Sequence, residues 1–211
     1  MKQDESLTRS AFLLAIDLRK ERLANRSELG YLLRAAALTE LLLAGNLADE
    51  SGKARAVSAP AGAEPGSLPA IVWEQISNSP PRSWQRWIRK DQGKAIRLVR
   101  DELAAAQVIR VERRRVLIFH VDRIKPRKAY LTRKLAERVG RAIRGGQPVS
   151  RLELDARVLA ALAAAAQTVL PARWETYQRR DRIEQLSAPI EPVATALRKA
   201  VQSAKSAAAS G

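Results

Sequence analysis

Apolar residues recur at helical spacing along most of this chain. The run from Leu7 to Ile16 predicts a short first helix, and the run over 29–44 is apolar on nearly every side. Because a helix that is apolar all round must be covered by its neighbours, the second run predicts a central buried helix that ends at Gly45. Further runs predict helices over 70–77, 84–90, 92–107, 131–144 and 151–170, then one that carries Trp174, Tyr177 and Ile183, and a last one through Val193, Leu197 and Val201.

Short polar residues mark the starts of several of these helices. Asn25 or Ser27 precedes the central helix, and Ser83 precedes the helix over 84–90. Ser150 followed three residues later by Glu153 has the pattern of a capping box. Side-chain oxygens at such positions accept hydrogen bonds from the free N–H groups of a first helical turn, so these residues are the predicted N-caps.

The periodicity changes over 108–121, where β-branched residues dominate on both sides of Arg113-Arg114. This pattern predicts a β-hairpin with a basic tip. Over 48–69 the residues are mostly Gly, Pro, Ser and Ala, which predicts a long loop with one short strand at 54–58. Together the patterns predict a mainly α fold, with a single compact helical domain over 1–186 built around the central helix, one β-hairpin, and a helical or frayed tail over 187–211.

The residue inventory argues against several kinds of chemistry. There is no cysteine and one histidine, His120, so disulfides, thiolate metal sites and imidazole clusters are excluded within one chain. His120 lies in an apolar strand pattern and is interpreted as a partly buried strand residue. The chain contains no phosphate-binding glycine loop, dinucleotide fingerprint or serine nucleophile motif. We therefore expect a binding protein and not an enzyme, with no catalytic residue, no metal site and no cofactor.

The charge of the chain favours anionic partners. With 38 basic and 22 acidic residues the net charge is +16, which concentrates anions such as nucleic acid or an anionic leaflet around the protein. A basic surface without a specific ligand is the simpler alternative. The start of the chain is polar and acidic, and the longest apolar stretch, 29–44, is too short and too interrupted to cross a bilayer of about 30 Å. These features predict a cytoplasmic protein in peripheral contact with the inner face of a membrane.

Three arginines are candidates for an anion site. Arg97 and Arg100 lie one turn apart on the helix over 92–107, where two guanidinium groups can hold one phosphate. Arg34 is the one basic residue between positions 29 and 45, inside the helix predicted to be most buried. Since a buried guanidinium needs a counter-charge, Arg34 predicts either an internal salt bridge or an external anion. If the two helices pack through their apolar faces, the three arginines converge; a solvated helix face is the alternative for Arg97 and Arg100.

The hairpin is the candidate membrane contact. Between positions 110 and 128 there are eight basic and two acidic residues around an apolar strand, which suits an anionic and partly apolar surface. Near an anionic leaflet each cation contributes about 1 kcal/mol. The predicted contact residues are Arg113, Arg114, Arg115, Val116 and Leu117. A basic hairpin beside a helix also resembles the wing of a winged-helix protein, so nucleic-acid binding is the alternative function.

Several segments occur in the order typical of one protein family. They are the opening Leu7-Thr8 with FLLAID at 12–17, LLRAAALTELLLAGNL at 32–47, ISNSPP at 76–81 leading to Trp87-Ile88, RLVRDEL at 97–103, and the hairpin. Over about residues 7–170 the chain resembles the Golgi phosphoprotein 3 family, in particular its bacterial members of actinobacterial type.

The resemblance implies a helical, peripheral membrane protein. Eukaryotic members bind phosphatidylinositol 4-phosphate at the Golgi and engage glycosyltransferase tails, which implies a headgroup pocket at Arg34, Arg97 and Arg100 and an adaptor role for membrane enzymes. The pocket of those members also has a tryptophan nine residues before the helix arginine, and that position is Asn25 here. The expectation is therefore a site for anionic phospholipid headgroups in general. The family's hairpin serves in membrane contact and self-association, which implies a homo-oligomer through 108–121.

Overall fold

Helices form most of the part of the chain that the structure describes. The computed structural model describes residues 6–116, 119–167 and 180–209, with the backbone alone for 113–116 and 119–122. The helices are α1 (Leu7–Leu14), α2 (Arg26–Leu43), α3 (Leu68–Ser77), α4 (Trp84–Arg89), α5 (Gln92–Ala105), α6 (Ala129–Arg144), α7 (Leu154–Ala165), α8 (Arg180–Ser187) and α9 (Glu191–Ala209), with 3₁₀ turns at Val149–Arg151 and Ala188–Ile190. The prediction of a compact, mainly α fold is confirmed.

Helix α2 is the centre of the fold, as its apolar pattern predicts. It packs against α1, α3, α4, α5, α7 and α9. From Leu29 to Thr39 every residue is buried, Arg34 included. Gly30 lets α5 begin close against this helix, because a Cβ added there would lie 2.6 Å from the Cβ of Gln92. The close approach places the first turn of α5 one helical turn away from Arg34.

The predicted N-caps have different outcomes. The hydroxyl of Ser83 accepts a hydrogen bond from the backbone N–H of Arg86, so this N-cap is confirmed. Asn25 precedes α2 in the left-handed region, at φ 46°, without a side-chain cap bond. The capping box is wrong: Ser150 lies in a 3₁₀ turn and Glu153 is the residue before α7. Pro148 explains the shift, since it starts its own short turn ahead of the helix.

The prediction for 48–69 is confirmed in its short strand, which overlaps Lys53–Ala56, and is wrong in making the residues before that strand a loop. Strands β3 (Leu47–Glu50) and β4 (Lys53–Ala56) form an antiparallel hairpin there, and β5 (Arg82–Ser83) pairs with β4. The two residues of the turn, Ser51 and Gly52, have φ values of 51° and 79°. Two positive φ values define the type I′ turn that matches the twist of a hairpin. Composition hides this turn, because Ser-Gly inside a Gly- and Pro-rich segment is typical of a loop.

The longer hairpin exists, but its tip is not at the predicted residues. Strands β6 (Ile109–Val116) and β7 (Phe119–Pro126) pair in register from Ile109 with Pro126 to Val116 with Phe119. Burial of Ile109 and Ile124 in the core fixes the base of the hairpin. The described register ends at Val116 with Phe119, and residues 117–118 lie outside the described residues. Arg113 and Arg114 pair with residues of β7 instead of forming the tip. A further pair of two-residue strands, β1 (Ile16–Asp17) and β2 (Arg22–Leu23), precedes α2.

The C-terminal segment is helical, as one of the two predicted alternatives has it, and its buried face packs on the same core. Helix α9 packs against α2, α4 and α7. Its inner face is buried and includes Val193, Leu197 and Val201, whose spacing predicts this helix from the sequence. The predicted boundary between 186 and 187 therefore cuts through a packed unit, because the amphipathic stripe of α9 needs the other helices to cover it. Of the predicted aromatic helix, Ile183 lies in α8, and Trp174 and Tyr177 are outside the described residues. Within 6–116, 119–167 and 180–209, no helix combines the length and the apolar character needed to cross a bilayer.

Candidate anion-binding site

Arg34 lies in the middle of the central helix and is 1% exposed. Its Nε donates a hydrogen bond to the carbonyl oxygen of Trp87 over 3.0 Å, and its Nη1 donates to Oε1 of Gln75 over 3.1 Å. Helix α4 supplies the first acceptor and helix α3 supplies the second. The buried guanidinium is thus held by neutral oxygens from two helices that pack on α2.

The second terminal nitrogen of Arg34, Nη2, has no hydrogen-bond partner within the described part of the chain. Burial lowers the pKa of this guanidinium to about 10, and the carboxylate of Asp91 opposes part of that shift. At neutral pH the group is therefore still charged. A buried cation with one unsatisfied donor is costly and favours an additional acceptor.

The nearest counter-charge reaches Arg34 through an amide. Nε2 of Gln75 donates to Oδ2 of Asp91 over 3.2 Å, while Oε1 of the same amide accepts from Arg34. Asp91 is the residue before α5 and has a φ of 50°, in the left-handed region that Asp and Asn adopt more readily than most residues. The sequence predicts an internal salt bridge or an external anion for Arg34. The structure shows an indirect contact instead, in which the carboxylate of Asp91 is linked to Arg34 through the amide of Gln75.

A small cleft opens at this position between α3 and the start of α5. Its volume is about 10 Å³, room for a single oxygen atom or water, and its lining residues are Arg34, Leu68, Ile71, Gln75, Asp91, Lys94, Ala95 and Leu98. The apolar side chains form the walls, and the polar atoms are those of Arg34, Gln75, Asp91 and Lys94. Lys94 is exposed, so the cleft combines a buried cation at its base with a second cation near solvent.

Arg97 and Arg100 lie on the same helix but do not line this cleft. Arg97 is exposed. Nη2 of Arg100 forms an ion pair with the neighbouring Asp101 over 2.8 Å. Because α5 turns about 100° per residue, the positions that line the cleft from this helix and its start are 91, 94, 95 and 98. The shared headgroup site of Arg34, Arg97 and Arg100 stays a prediction. Asn25 is exposed at the start of α2 and does not line the cleft either.

A second concave surface lies on the outer side of α4. We call it the α4 groove; it has a volume of about 580 Å³ and is lined by Arg82, Ser83, Gln85, Arg86, Arg89 and Lys90. Four of these six residues are basic and none is acidic. The cleft and the α4 groove share no lining residue.

The predicted membrane-contact residues fall mostly where side chains are not described. Arg113, Arg114, Arg115 and Val116 lie in strand β6, and Leu117 is outside the described residues. Two cations near the base of the hairpin are paired, since Oε2 of Glu21 lies 3.4 Å from Nη1 of Arg123 and 3.3 Å from Nζ of Lys125. The role of the hairpin in membrane contact stays a prediction.

Sequence reasoning missed Gln75, Asp91 and Lys94 of the cleft and all of the α4 groove. Gln75 and Asp91 carry no local signal, since their importance depends on how α3 and α5 meet α2. The groove did carry one. Arg86, Arg89 and Lys90 recur at i, i+3 and i+4, opposite the apolar positions of the same short helix. That spacing, considered together with the charges, indicates a cluster of cations on one face of the helix.

Comparison with known families adds one finding. The family model described as Golgi phosphoprotein 3 (GPP34) matches residues 7–204, nearly the whole chain. None of the curated proteins matches the chain significantly. The resemblance inferred from the ordered segments of the sequence is thereby confirmed at the level of the family.

Proposed function

We propose that this chain, which belongs to the Golgi phosphoprotein 3 family, is a peripheral membrane protein that binds anionic phospholipid headgroups through Arg34. The observation that carries the proposal is the unpartnered Nη2 of a guanidinium that is buried and charged. A phosphate oxygen supplies the missing acceptor and the missing counter-charge together. Phosphatidylinositol 4-phosphate is the headgroup that family membership favours.

The composition of the cleft supports a phosphate ligand over a neutral one. A neutral ligand would satisfy the donor but leave the charge of Arg34 opposed only by Asp91, which acts through an amide. Lys94 adds a cation at the exposed end of the cleft, where an incoming anion first meets the protein. The apolar walls lower the local polarity and strengthen both interactions.

The net charge and the hairpin extend the proposal to a membrane surface. A chain of +16 is attracted to an anionic leaflet, and on the order of 1 kcal/mol per cation near the surface gives reversible recruitment. We include in the proposal contact by the hairpin over 109–126, self-association through it, and engagement of membrane-enzyme tails in an adaptor role. No catalytic step is part of the proposal.

Vesicle flotation tests the headgroup site. The chain is mixed with phosphatidylcholine vesicles that contain or lack phosphatidylinositol 4-phosphate, and Lys94→Ala is compared with Arg141→Ala. Both substitutions remove one exposed cation, but Arg141 lies on α6 and does not line the cleft. We expect flotation that depends on the anionic lipid and is about fivefold weaker in Lys94→Ala than in Arg141→Ala.

Two outcomes would contradict this function. The first is flotation that is equal with and without the anionic lipid, which would show that headgroup charge is not recognised. The second is that duplex DNA releases the protein from vesicles and stays bound to it at 200 mM salt with a sequence preference. That result would favour the nucleic-acid alternative.

A further inference from the structure

The α4 groove brings four cations together without an opposing carboxylate in its lining. Arg86, Arg89 and Lys90 project from one side of α4 and its end, and Arg82 joins them from strand β5. On a helix, residues three and four apart are neighbours, so the first three lie within about one turn of 5.4 Å. Their mutual repulsion is not relieved by an acidic residue of the same surface.

The cations are held in place by the buried side of the same segment. Trp84 and Trp87 are each 2% exposed, and Ile88 is fully buried. The indole N–H of Trp84 also donates to Oδ1 of Asp49 on β3. Nζ of Lys90 lies 5.4 Å from the ring centroid of Trp87, within the range of a cation–π interaction. The backbone that carries the cations is therefore anchored before any ligand arrives.

Elsewhere in the described part of the chain, many cations have carboxylate partners. Arg9 pairs with Glu102 and Glu64, and Lys125 pairs with Glu21 and Glu112. The four cations of the groove form no ion pair with a described carboxylate within 4.0 Å. The groove differs from an ordinary solvated helix face because it is concave and its lining contains no acidic residue, so it concentrates a positive potential that attracts anions.

We propose that the α4 groove is a second anion-binding site, for a ligand that carries two or more clustered phosphate groups. One phosphate is satisfied by one or two guanidinium groups, so three arginines and a lysine in one groove match a more highly charged ligand. The ligand is a phosphorylated polyol, either free or as the headgroup of a polyphosphoinositide. This site is separate from the Arg34 cleft and does not depend on the function proposed for it.

Titration calorimetry with myo-inositol 1,4,5-trisphosphate tests the site in the full chain. The groove variant is Arg86→Ala/Arg89→Ala/Lys90→Ala. The control is Arg133→Ala/Arg141→Ala/Arg151→Ala, which removes three exposed cations from other surfaces and gives the same net charge. We expect the groove variant to bind the trisphosphate on the order of a hundredfold more weakly and the control to bind it as the unmodified chain does. Lys94→Ala, which alters the cleft, should leave this binding unchanged.

Further arms identify the source of the ligand and the alternatives. If the unmodified chain binds vesicles with phosphatidylinositol 4,5-bisphosphate and the groove variant does not, the ligand is a lipid headgroup. If the chain binds the free trisphosphate but not these vesicles, the ligand is a soluble one. Equal weakening in the groove variant and the control would overturn the proposal, because binding would then follow net charge. Tighter, groove-dependent binding of duplex DNA than of the trisphosphate would overturn it in favour of nucleic acid. The double variant Arg86→Gln/Arg89→Gln, expected to weaken binding by roughly tenfold, repeats the comparison should the triple variant not fold.

Discussion

Replacing Arg34 by methionine separates two effects of the buried charge, its cost to the stability of the folded chain and its contribution to anion binding. Burial lowers the pKa of the Arg34 guanidinium from the ordinary value of an arginine to about 10. At about 1.4 kcal/mol per pKa unit, this difference corresponds to about 3 kcal/mol by which burial destabilises the charged form. The cost is fully present below pH 10, where Arg34 is charged in both the folded and the unfolded chain. Above pH 10 the folded chain loses the proton while the unfolded chain still binds it, so the cost decreases as the pH rises towards the pKa of the unfolded chain.

Methionine removes that cost but also removes two donors. The carbonyl of Trp87 and Oε1 of Gln75 each lose a hydrogen bond worth about 1 kcal/mol. Because methionine is unbranched and fills irregular space, the packing lost is small. The balance is a gain of about 1 kcal/mol in the free energy of unfolding at neutral pH, which for a chain of this length raises Tm by about 2–4 °C.

Thermal unfolding with and without sulfate measures both effects. Arg34→Met should raise Tm in the absence of sulfate and reduce the rise in Tm that sulfate gives to the unmodified chain by mass action, because the cleft no longer binds the anion. Arg34→Ala is the comparison, since it removes the charge and also leaves a cavity, and it should lower Tm. A decrease in Tm for Arg34→Met equal to that of Arg34→Ala would show that Arg34 is a packing residue whose charge costs little, and would refute the reasoning.

The remaining predictions concern the cleft, a buried carboxyl and a helix contact. Asp91→Asn keeps a residue that tolerates φ 50° and removes the carboxylate of the cleft, so it should tighten sulfate binding about fivefold in calorimetry; unchanged affinity would contradict the assigned geometry. Burial raises the pKa of Glu40, so the folded chain loses stability as the pH rises through that pKa and the buried carboxyl ionises. Glu40→Gln should therefore stabilise the chain against urea at pH 7 and give no such advantage below pH 4.5. A difference in the free energy of unfolding that is the same at both pH values would refute this. Gly30→Ala should destabilise the chain by about 1–3 kcal/mol because its Cβ would meet Gln92, whereas Gly93→Ala, with open space around it, should stabilise by up to about 1 kcal/mol; equal effects in urea melts would refute the close approach.

Local patterns predict those parts of the structure that depend on one element alone. The burial of α2 and the position of Arg34 within it follow from the apolar periodicity of a single helix. The apolar face of α5, with Ile96, Val99 and Leu103, is buried as its spacing indicates. The cap at Ser83 depends on four consecutive residues and is also predicted correctly.

What the sequence does not predict depends on contacts between distant segments. Gln75 and Trp87 meet Arg34 from positions 41 and 53 residues further along the chain. Periodicity shows which face of α5 is buried, but it does not show that the neighbouring edge with Lys94, and not the one with Arg97, faces α3. The hairpin register was missed for a similar reason, because it is fixed by the burial of Ile109 and Ile124 at its base and not by any residue near its turn.

Trp87 is the point at which the two candidate sites share structure. Its carbonyl oxygen accepts from Nε of Arg34, and its ring lies under Nζ of Lys90. The same buried residue therefore sets the distance between α2 and α4 at the cleft and holds the wall of the α4 groove. A substitution of Trp87 would disturb both surfaces at once and could not tell them apart. Exposed cations such as Lys94 and Arg86 can be removed without touching this anchor, so they distinguish an anion held singly at a buried guanidinium from one held by several cations at the surface.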